Sequence, residues 1–167
     1  MTTDLTMLTA TAVLAGLLVN PYGLAMWTLW PVREILGNRE NPPPSLPAWA
    51  ERAQRAQRNM LENFPHFAVL VLVVHAAGLA NEQTALGATI FFWARLVHAV
   101  VYTMGIWQLR GPAFFAGWAG ESLIIFRLLG WSAARGSFIV SVMVIVVSSS
   151  IFALRRHARV TRLSAPA

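Results

Sequence analysis

A short charged segment, residues 51–63, stands directly in front of a long apolar run, residues 64–80. If the segment is a helix that turns by about 100° per residue, its polar groups collect in a stripe about 80° wide. The stripe consists of Arg52, Arg55, Asn59, Glu62 and His66. A charged stripe that leads into a membrane-length segment is costly unless it is paired or bound, so a polar ligand is expected there.

A second polar group lies on a later apolar helix. Arg95, His98 and Tyr102 follow the spacing i, i+3 and i+7, which places them within about 60° of one helix face. A short turn at residues 81–83 separates this helix from the one before it, so the two are antiparallel neighbours. Arg110 follows at the inner end of the same helix. We therefore expect the two polar faces to share one pocket in the cytoplasmic leaflet.

The side chains of this pocket suit one kind of ligand. Arginine forks bind carboxylates, while Glu62 can accept an ammonium group and Asn59 can bind an amide. Tyr102 and Arg110 can stabilise a thiolate or an oxyanion, since a positively charged setting lowers the pKa of a thiol. The chain has no cysteine, so any thiol must arrive with a substrate. A small zwitterionic peptide with two carboxylates, an amine and a thiol meets these requirements, and glutathione is such a molecule.

The composition indicates an integral membrane protein. Of the 167 residues, 56% are hydrophobic and only 12% are charged, roughly half the charged fraction of soluble domains. All 13 basic residues are arginines, and most of them flank apolar segments. The positive-inside bias of membrane proteins explains this placement better than nucleic-acid binding, so no nucleic-acid partner is expected. No metal site is expected either, because no two histidines share the spacing and face that a metal needs.

The apolar runs predict five membrane-spanning helices. In chain order the predicted helices are residues 5–30, 46–80, 84–109, 112–130 and 136–154, and the second half of the helix at 46–80 is its span. Proline predicts a kink at Asn20-Pro21 and a bend at Pro65. The connection at residues 31–50 is expected to be a loop, with Ser45 as the N-cap of the second long helix.

The distribution of arginines predicts the orientation in the membrane. With five spans, most arginines lie in the first connection, at Arg110 and in the tail, which all face the same side. The positive-inside rule makes that side cytoplasmic, with the N-terminus outside and the C-terminus in the cytoplasm. The exclusive use of arginine and the compact size favour a bacterial inner membrane.

Several polar residues also have simpler structural interpretations. The arginines of the charged segment, Arg52, Arg55 and Arg58, can anchor a helix by reaching lipid head groups, and Arg58 points at least about 60° away from the stripe. His98 can be a hydrogen-bonded packing residue, and Arg95 can form a structural ion pair with Glu121. Glu121 and Arg127 lie on nearly opposite faces of the fourth helix, so each needs a partner elsewhere. Small residues on that helix, at positions 113, 116, 117 and 120, predict close helix packing.

The same residues resemble a known family. Glu51-Arg52-x-x-Arg55-Ala56-x-Arg58-Asn59-x-x-Glu62, followed later by Arg95-x-x-His98-x-x-x-Tyr102 and Arg110, is similar to the motifs of the MAPEG superfamily. That name stands for membrane-associated proteins in eicosanoid and glutathione metabolism. The resemblance covers about residues 5–130. It implies a homotrimer of four-helix protomers that binds glutathione between adjacent subunits, toward the cytoplasmic side.

The resemblance also implies a role for each site residue. Arg55, Asn59 and Glu62 would bind the backbone and termini of glutathione, with Arg52 and Arg58 in support. His98 and Tyr102 would line the same site from the third helix. Arg110, together with Tyr102, would activate the thiolate.

The predicted fold is an all-α integral membrane protein with a MAPEG-like four-helix bundle protomer over residues 1–130. An additional fifth C-terminal transmembrane helix, residues 131–154, and a basic cytoplasmic tail, residues 155–167, follow it. The implied function is a glutathione transferase or peroxidase that acts on lipophilic electrophiles or lipid hydroperoxides. The alternative is a non-catalytic lipid- or thiol-binding scaffold of the same fold, because fold alone does not establish catalysis. The lack of two repeated half-chains disfavours a transporter.

Overall fold

The computed structural model describes residues 1–38 and 45–130, and every regular element in them is an α-helix. The helices are α1 Thr3–Leu17, α2 Asn20–Leu29, α3 Val32–Leu36, α4 Ala48–Ala76, α5 Glu82–Met104 and α6 Trp107–Leu128. With α1 and α2 taken as one interrupted segment, four long helical segments confirm the all-α, four-helix prediction for this part of the chain. The predicted fifth helix, residues 131–154, and the basic tail, residues 155–167, lie outside the described residues.

The first predicted span is helical and is interrupted where proline predicts a kink. α1 ends at Leu17, and α2 begins at Asn20 with Pro21 in its first turn. Proline has no backbone N–H and is tolerated best at a helix start, so one helix stops and another begins there. The combined stretch of 27 residues is long and apolar enough to cross a membrane, and α5, with 23 residues, is the second such stretch in the described chain.

Two expectations for residues 31–50 are wrong. The predicted loop contains the short helix α3, which follows Pro31, a residue whose fixed φ suits a helix start. The N-cap of α4 is Pro47 rather than Ser45, because the carbonyl of Pro47 accepts the first N–H groups of the helix.

α4 then continues through Pro65, since the missing N–H removes only one bond from a helix of 29 residues. The predicted bend at Pro65 therefore does not end the helix.

The boundary between the last two helices also differs from the prediction. α5 ends at Met104, before the predicted end at residue 109, because Gly105 adopts a left-handed conformation with φ of 82°. α6 begins at Trp107 rather than at Pro112, so it contains Arg110. Arg110 thus belongs to the start of α6 and not to the end of α5.

A buried chain of hydrogen bonds ties the N-terminus to the start of α5. Asn81 and Thr84 form a capping box that begins the helix. The hydroxyl of Thr84 accepts the N–H of Asn81 and donates to the carboxylate of Asp4 across 2.6 Å. Asp4 is only 3% exposed, so this bond reduces the cost of burying a carboxylate and fixes α1 against α5.

The hydrophobic core lies among α4, α5 and α6. Its fully buried side chains include Phe67, Val71, Val74, Ala88, Phe91 and Ile124. The rings of Phe67 and Phe91 are stacked, with centroids 3.9 Å apart and planes 9° apart. Leu5 and Leu8 of α1 pack over this cluster, so α1 completes the bundle.

α5 and α6 pack with their backbones nearly in contact. A Cβ atom at Gly120 would lie 2.5 Å from the carbonyl oxygen of Gly87 and 2.8 Å from the amide nitrogen of Phe91. The two helices could not approach this closely if a side chain stood between them. The close packing predicted from small residues on the fourth helix is therefore confirmed at Gly120.

The far end of α6 is held by bonds to backbone carbonyls. Arg127 Nε donates to the carbonyl of Leu79 at 3.1 Å, just after α4. Gln83 Nε2, at the start of α5, donates to the carbonyl of Leu123 at 2.8 Å. Arg127 thus finds its partner away from its own helix, as predicted from its position on a different helix face from Glu121.

We expect Gly120→Ala to lower the free energy of unfolding by about 1–3 kcal/mol, the usual cost of overpacking a rigid core. The added methyl group would meet backbone atoms of α5 that cannot move aside. Gly16→Ala in α1 is the control, because an added Cβ there meets nothing within 4 Å. Thermal unfolding in detergent, followed by circular dichroism, measures both. A Gly120→Ala midpoint equal to that of the wild type would contradict the near contact of α5 and α6.

Candidate functional site

The side chains of the predicted polar stripe, on the first half of α4, differ in how far they are buried. Arg52 and Asn59 are half-buried, whereas Arg55 and Glu62 are exposed. Arg55 Nη1 lies 3.4 Å from the carboxylate of Glu51, and both side chains are about half exposed, so the pair contributes little stability. Glu62 makes no ion pair within the described residues. Arg55 and Glu62 are therefore open to a ligand.

Arg52 links α4 to the end of α5. Its Nε donates to the carbonyl of Thr103 at 3.0 Å, in the last turn of α5, where helix carbonyls lack partners within the helix. Gly105 leaves room for this side chain, because a Cβ atom there would lie 3.2 Å from Arg52 Cζ. The bond holds Arg52 beside the α5–α6 turn, close to Arg110.

Four of the residues predicted from the sequence line one cavity of about 130 Å³. These residues are Arg52 and Arg55 from α4, Tyr102 from α5 and Arg110 from α6. The guanidinium group of Arg110 lies over the ring of Tyr102, with Cζ 4.8 Å from the ring centroid. This cation–π contact fixes two of the walls relative to each other.

The chemistry of this cavity is that of an anion site. Three guanidinium groups and one phenol line it, and no carboxylate does. Cations at close range favour a thiolate over a thiol and stabilise developing oxyanions. Among residues 1–38 and 45–130, no group of three His, Cys, Asp or Glu side chains is arranged to hold a metal ion.

Three other predicted residues do not line this cavity. His98 is buried, 4% exposed, and its ring packs edge-on against that of Tyr102 at a centroid distance of 5.5 Å. Asn59 turns its Oδ1 toward Arg95, away from the solvent-exposed side. Glu62 lies further along the exposed face of α4. Direct contacts of these residues with a ligand stay predictions.

Arg95 is bound by amide groups rather than by a carboxylate. Its Nη2 donates to Oδ1 of Asn63 at 2.9 Å and its Nη1 to Oδ1 of Asn59 at 3.3 Å. Glu121, the partner considered from the sequence, lies instead 3.9 Å from Nδ1 of His66. Sequence reasoning missed Asn63, although its position one turn after Asn59 was the available signal.

A second cavity, of about 850 Å³, lies between α2, α3 and the start of α4. Tyr22 and Trp30 contribute aromatic surface to it, and Arg58 contributes charge. Arg55 borders both cavities. Sequence reasoning missed this cavity because it depends on how α2 and α3 fold against α4.

We expect Gly105→Ala to destabilise the protein more than Gly78→Ala does. Both glycines have a positive φ, 82° and 66°, which costs an alanine about 1–2 kcal/mol. Only at Gly105 does an added Cβ also meet the guanidinium group of Arg52, whereas at Gly78 it meets nothing within 4 Å. Unfolding midpoints of the two variants in the same detergent provide the comparison. A larger loss for Gly78→Ala would contradict the position of Arg52.

Comparison with known protein families matches residues 5–130 to the MAPEG family. This match includes nearly all of α1 and the whole of α2 to α6, and with them every residue of the candidate site. No curated protein is similar enough to match the chain. The family match covers well over half of the 167 residues. The chain therefore belongs to the MAPEG family, an integral membrane family composed mostly of glutathione-dependent enzymes.

Proposed function

We propose that this protein activates the thiol of glutathione and transfers it to a lipophilic electrophile, or uses it to reduce a lipid hydroperoxide. Family membership supports glutathione as the cosubstrate. The observation that carries the proposal is the cavity lined by Arg52, Arg55, Tyr102 and Arg110. Three guanidinium groups and a phenol around one space suit a thiolate and the negative charge that develops when it reacts.

The size of the cavity decides which part of glutathione it holds. Its volume of about 130 Å³ is well below the roughly 300–1,000 Å³ of sites for drug-sized ligands. The thiol end fits there, while the two carboxylates and the ammonium group bind outside it. Arg55 stands at the wall of the cavity, and Asn59 and Glu62 follow one and two turns later on the same helix. These residues continue the site along α4.

The exposed polar face of α4 supports a homotrimer in which glutathione lies between subunits. Arg55 and Glu62 are exposed, and the side chain of His66 is 64% exposed, on a helix that continues into an apolar half. Polar side chains that face lipid are costly, so a neighbouring copy that covers this face stabilises the assembly. The neighbour also supplies the wall that the small cavity lacks.

In the proposed reaction, the charge of Arg110 and the hydroxyl group of Tyr102 hold glutathione sulfur as the thiolate. The sulfur attacks an electrophilic carbon, a sulfur–carbon bond forms, and the leaving group departs with its electron pair. With a hydroperoxide, the sulfur attacks the terminal oxygen, the oxygen–oxygen bond breaks, and the alkoxide takes up a proton. A second glutathione then displaces water from the sulfenic acid and forms the disulfide. In both reactions the arginines stabilise the departing anion.

The same arrangement supports an orientation in the membrane. Arg52, Arg55 and Arg110 lie at one end of the bundle, where α4 begins, α5 ends and α6 begins. By the positive-inside rule this end faces the cytoplasm, with the N-terminus outside and the C-terminus inside. In this proposal the protein resides in a bacterial inner membrane, and lipophilic substrates enter the site from the bilayer.

The alternative function is a non-catalytic lipid- or thiol-binding scaffold of the same fold. The larger cavity is the observation that favours it, because aromatic side chains such as Tyr22 and Trp30, together with Arg58, suit an amphiphile. A scaffold would bind glutathione or lipid and form no product.

We expect a saturable thiolate signal when reduced glutathione is titrated into the detergent-purified protein and followed by ultraviolet difference absorbance. Arg110→Gln should raise the pKa of the bound thiol by about one unit, because a neighbouring charge is lost, and so lower the thiolate fraction at neutral pH by at most about tenfold. Its apparent Kd should change by less than about threefold. The double variant Arg55→Ala, Glu62→Ala should lose the saturable signal.

Arg127→Gln is the matched control for Arg110→Gln. Arg127 lies on the same helix but binds a backbone carbonyl at the opposite end of α6. Its thiolate fraction and Kd should equal those of the wild type. A folded oligomer without any saturable signal would contradict the proposed function. A normal thiolate signal without conjugation or hydroperoxide turnover would favour the scaffold.

A further inference from the structure

The guanidinium group of Arg95 is enclosed in the middle of α5. Arg95 is 1% exposed, and its Cζ lies 4.9 Å and 5.0 Å from the ring centroids of Phe91 and Phe114. In the plane of the group, Nη2 donates to Asn63 and Nη1 donates to Asn59. Two aromatic rings and two amide oxygens replace part of the water that the charge has lost, while Nε of Arg95 is buried without a hydrogen-bond partner among the described residues.

An arginine side chain has no hydrogen-bond acceptor, so it determines which atom of an amide faces it. Asn59 and Asn63 both turn Oδ1 toward Arg95, and each therefore turns its NH₂ group away. Nδ2 of Asn63 donates to the backbone carbonyl of Asn59 at 2.7 Å, so the amide of Asn63 is fully used. Nδ2 of Asn59 makes no hydrogen bond within the described part of the chain, and Asn59 is partly exposed.

We propose that Arg95 is a positioning residue for glutathione and acts through Asn59. It holds the Asn59 amide so that the NH₂ group is free on the side of α4 that carries Arg55 and Glu62. Asn59 then binds the ligand as a donor, and the group it recognises is a carbonyl or carboxylate oxygen of the peptide. This inference rests on the proposed function. It adds that Asn59 acts as a donor toward glutathione and that the buried Arg95 fixes this orientation.

The opposite orientation of Asn59 is strongly disfavoured. A flipped amide would place its NH₂ group against Nη1 of Arg95, so two donors would face each other and the buried charge would lose one of its two acceptors. The protein without ligand therefore already holds the orientation that the ligand needs. Such preorganisation increases affinity because no ordering of the side chain is left for the binding step.

Gly117 of α6 provides a way to move Arg95 without changing any polar group. A Cβ atom at Gly117 would lie 3.1 Å from Nε and 3.3 Å from Cζ of Arg95. Gly117→Ala therefore forces the guanidinium group to shift slightly relative to the two amides. Gly111→Ala is the matched control on the same helix, because a Cβ atom there meets nothing within 4 Å.

The test is the glutathione titration of the full-length oligomer, read as both Kd and the thiolate signal at saturation. Asn59→Asp keeps an oxygen for Arg95 but replaces the donor with an acceptor, so it should raise Kd at least about tenfold. Asn63→Asp makes the same chemical change on the amide that the ligand does not reach, and its Kd should stay within about twofold. Gly117→Ala should raise Kd about threefold or more and Gly111→Ala should not change it. The signal at saturation should stay constant in all four, because Arg110 and Tyr102 are intact.

The outcomes separate this inference from the proposed function. A wild-type protein that titrates normally, with an equal Kd for Asn59→Asp, overturns the inference alone. An equal rise in Kd for Asn63→Asp and Asn59→Asp also overturns it, since a structural effect would explain both. If Asn59→Asp does not fold, equal Kd values for Gly117→Ala and Gly111→Ala overturn it. No saturable signal from the wild type overturns the proposed function and this inference together.

Discussion

The guanidinium group of Arg95 is a charge without access to water. Three helices of the bundle together supply the partners that it needs. An arginine in an apolar setting is costly unless partners replace its hydration. α4 supplies two amide oxygens, α5 and α6 each supply an aromatic ring, and α6 supplies the space at Gly117. Because these contributions come from separate elements, the helix packing and the burial of Arg95 depend on each other.

The polar face of α4 serves the core and the candidate site at the same time. Asn59 and Asn63 turn inward and hold Arg95, whereas Arg55 and Glu62 remain exposed. At the start of the helix, Arg52 binds the end of α5 and helps to close the small cavity. The inward half of the face supplies the acceptors that the buried charge of Arg95 needs. The outward half, with Arg55 and Glu62, is exposed in the single protomer. We propose that glutathione and a neighbouring subunit cover it.

Features that depend on local spacing could be predicted from the sequence, and features that depend on tertiary contacts could not. The stripe on α4 follows from helical periodicity, and the kink near Pro21 follows from the missing N–H of proline. The end of α5 could not be located, because Gly105 is compatible with either a helix interior or a left-handed cap, and its contact with Arg52 is not visible in the sequence. An ion pair with Glu121 is the obvious expectation for Arg95, whereas its amide partners emerge only when α4 and α5 are packed. The larger cavity depends on α2 and α3 folding against α4, which no local pattern encodes.

The most direct test of this account is an experimental structure of the full-length protein in lipid with reduced glutathione bound. The account predicts the sulfur beside Arg110 and Tyr102, a peptide oxygen within hydrogen-bonding distance of Asn59 Nδ2, and a second subunit that closes the exposed face of α4. Glutathione bound in the larger cavity between α2 and α4, away from Arg110 and Asn59, would contradict it.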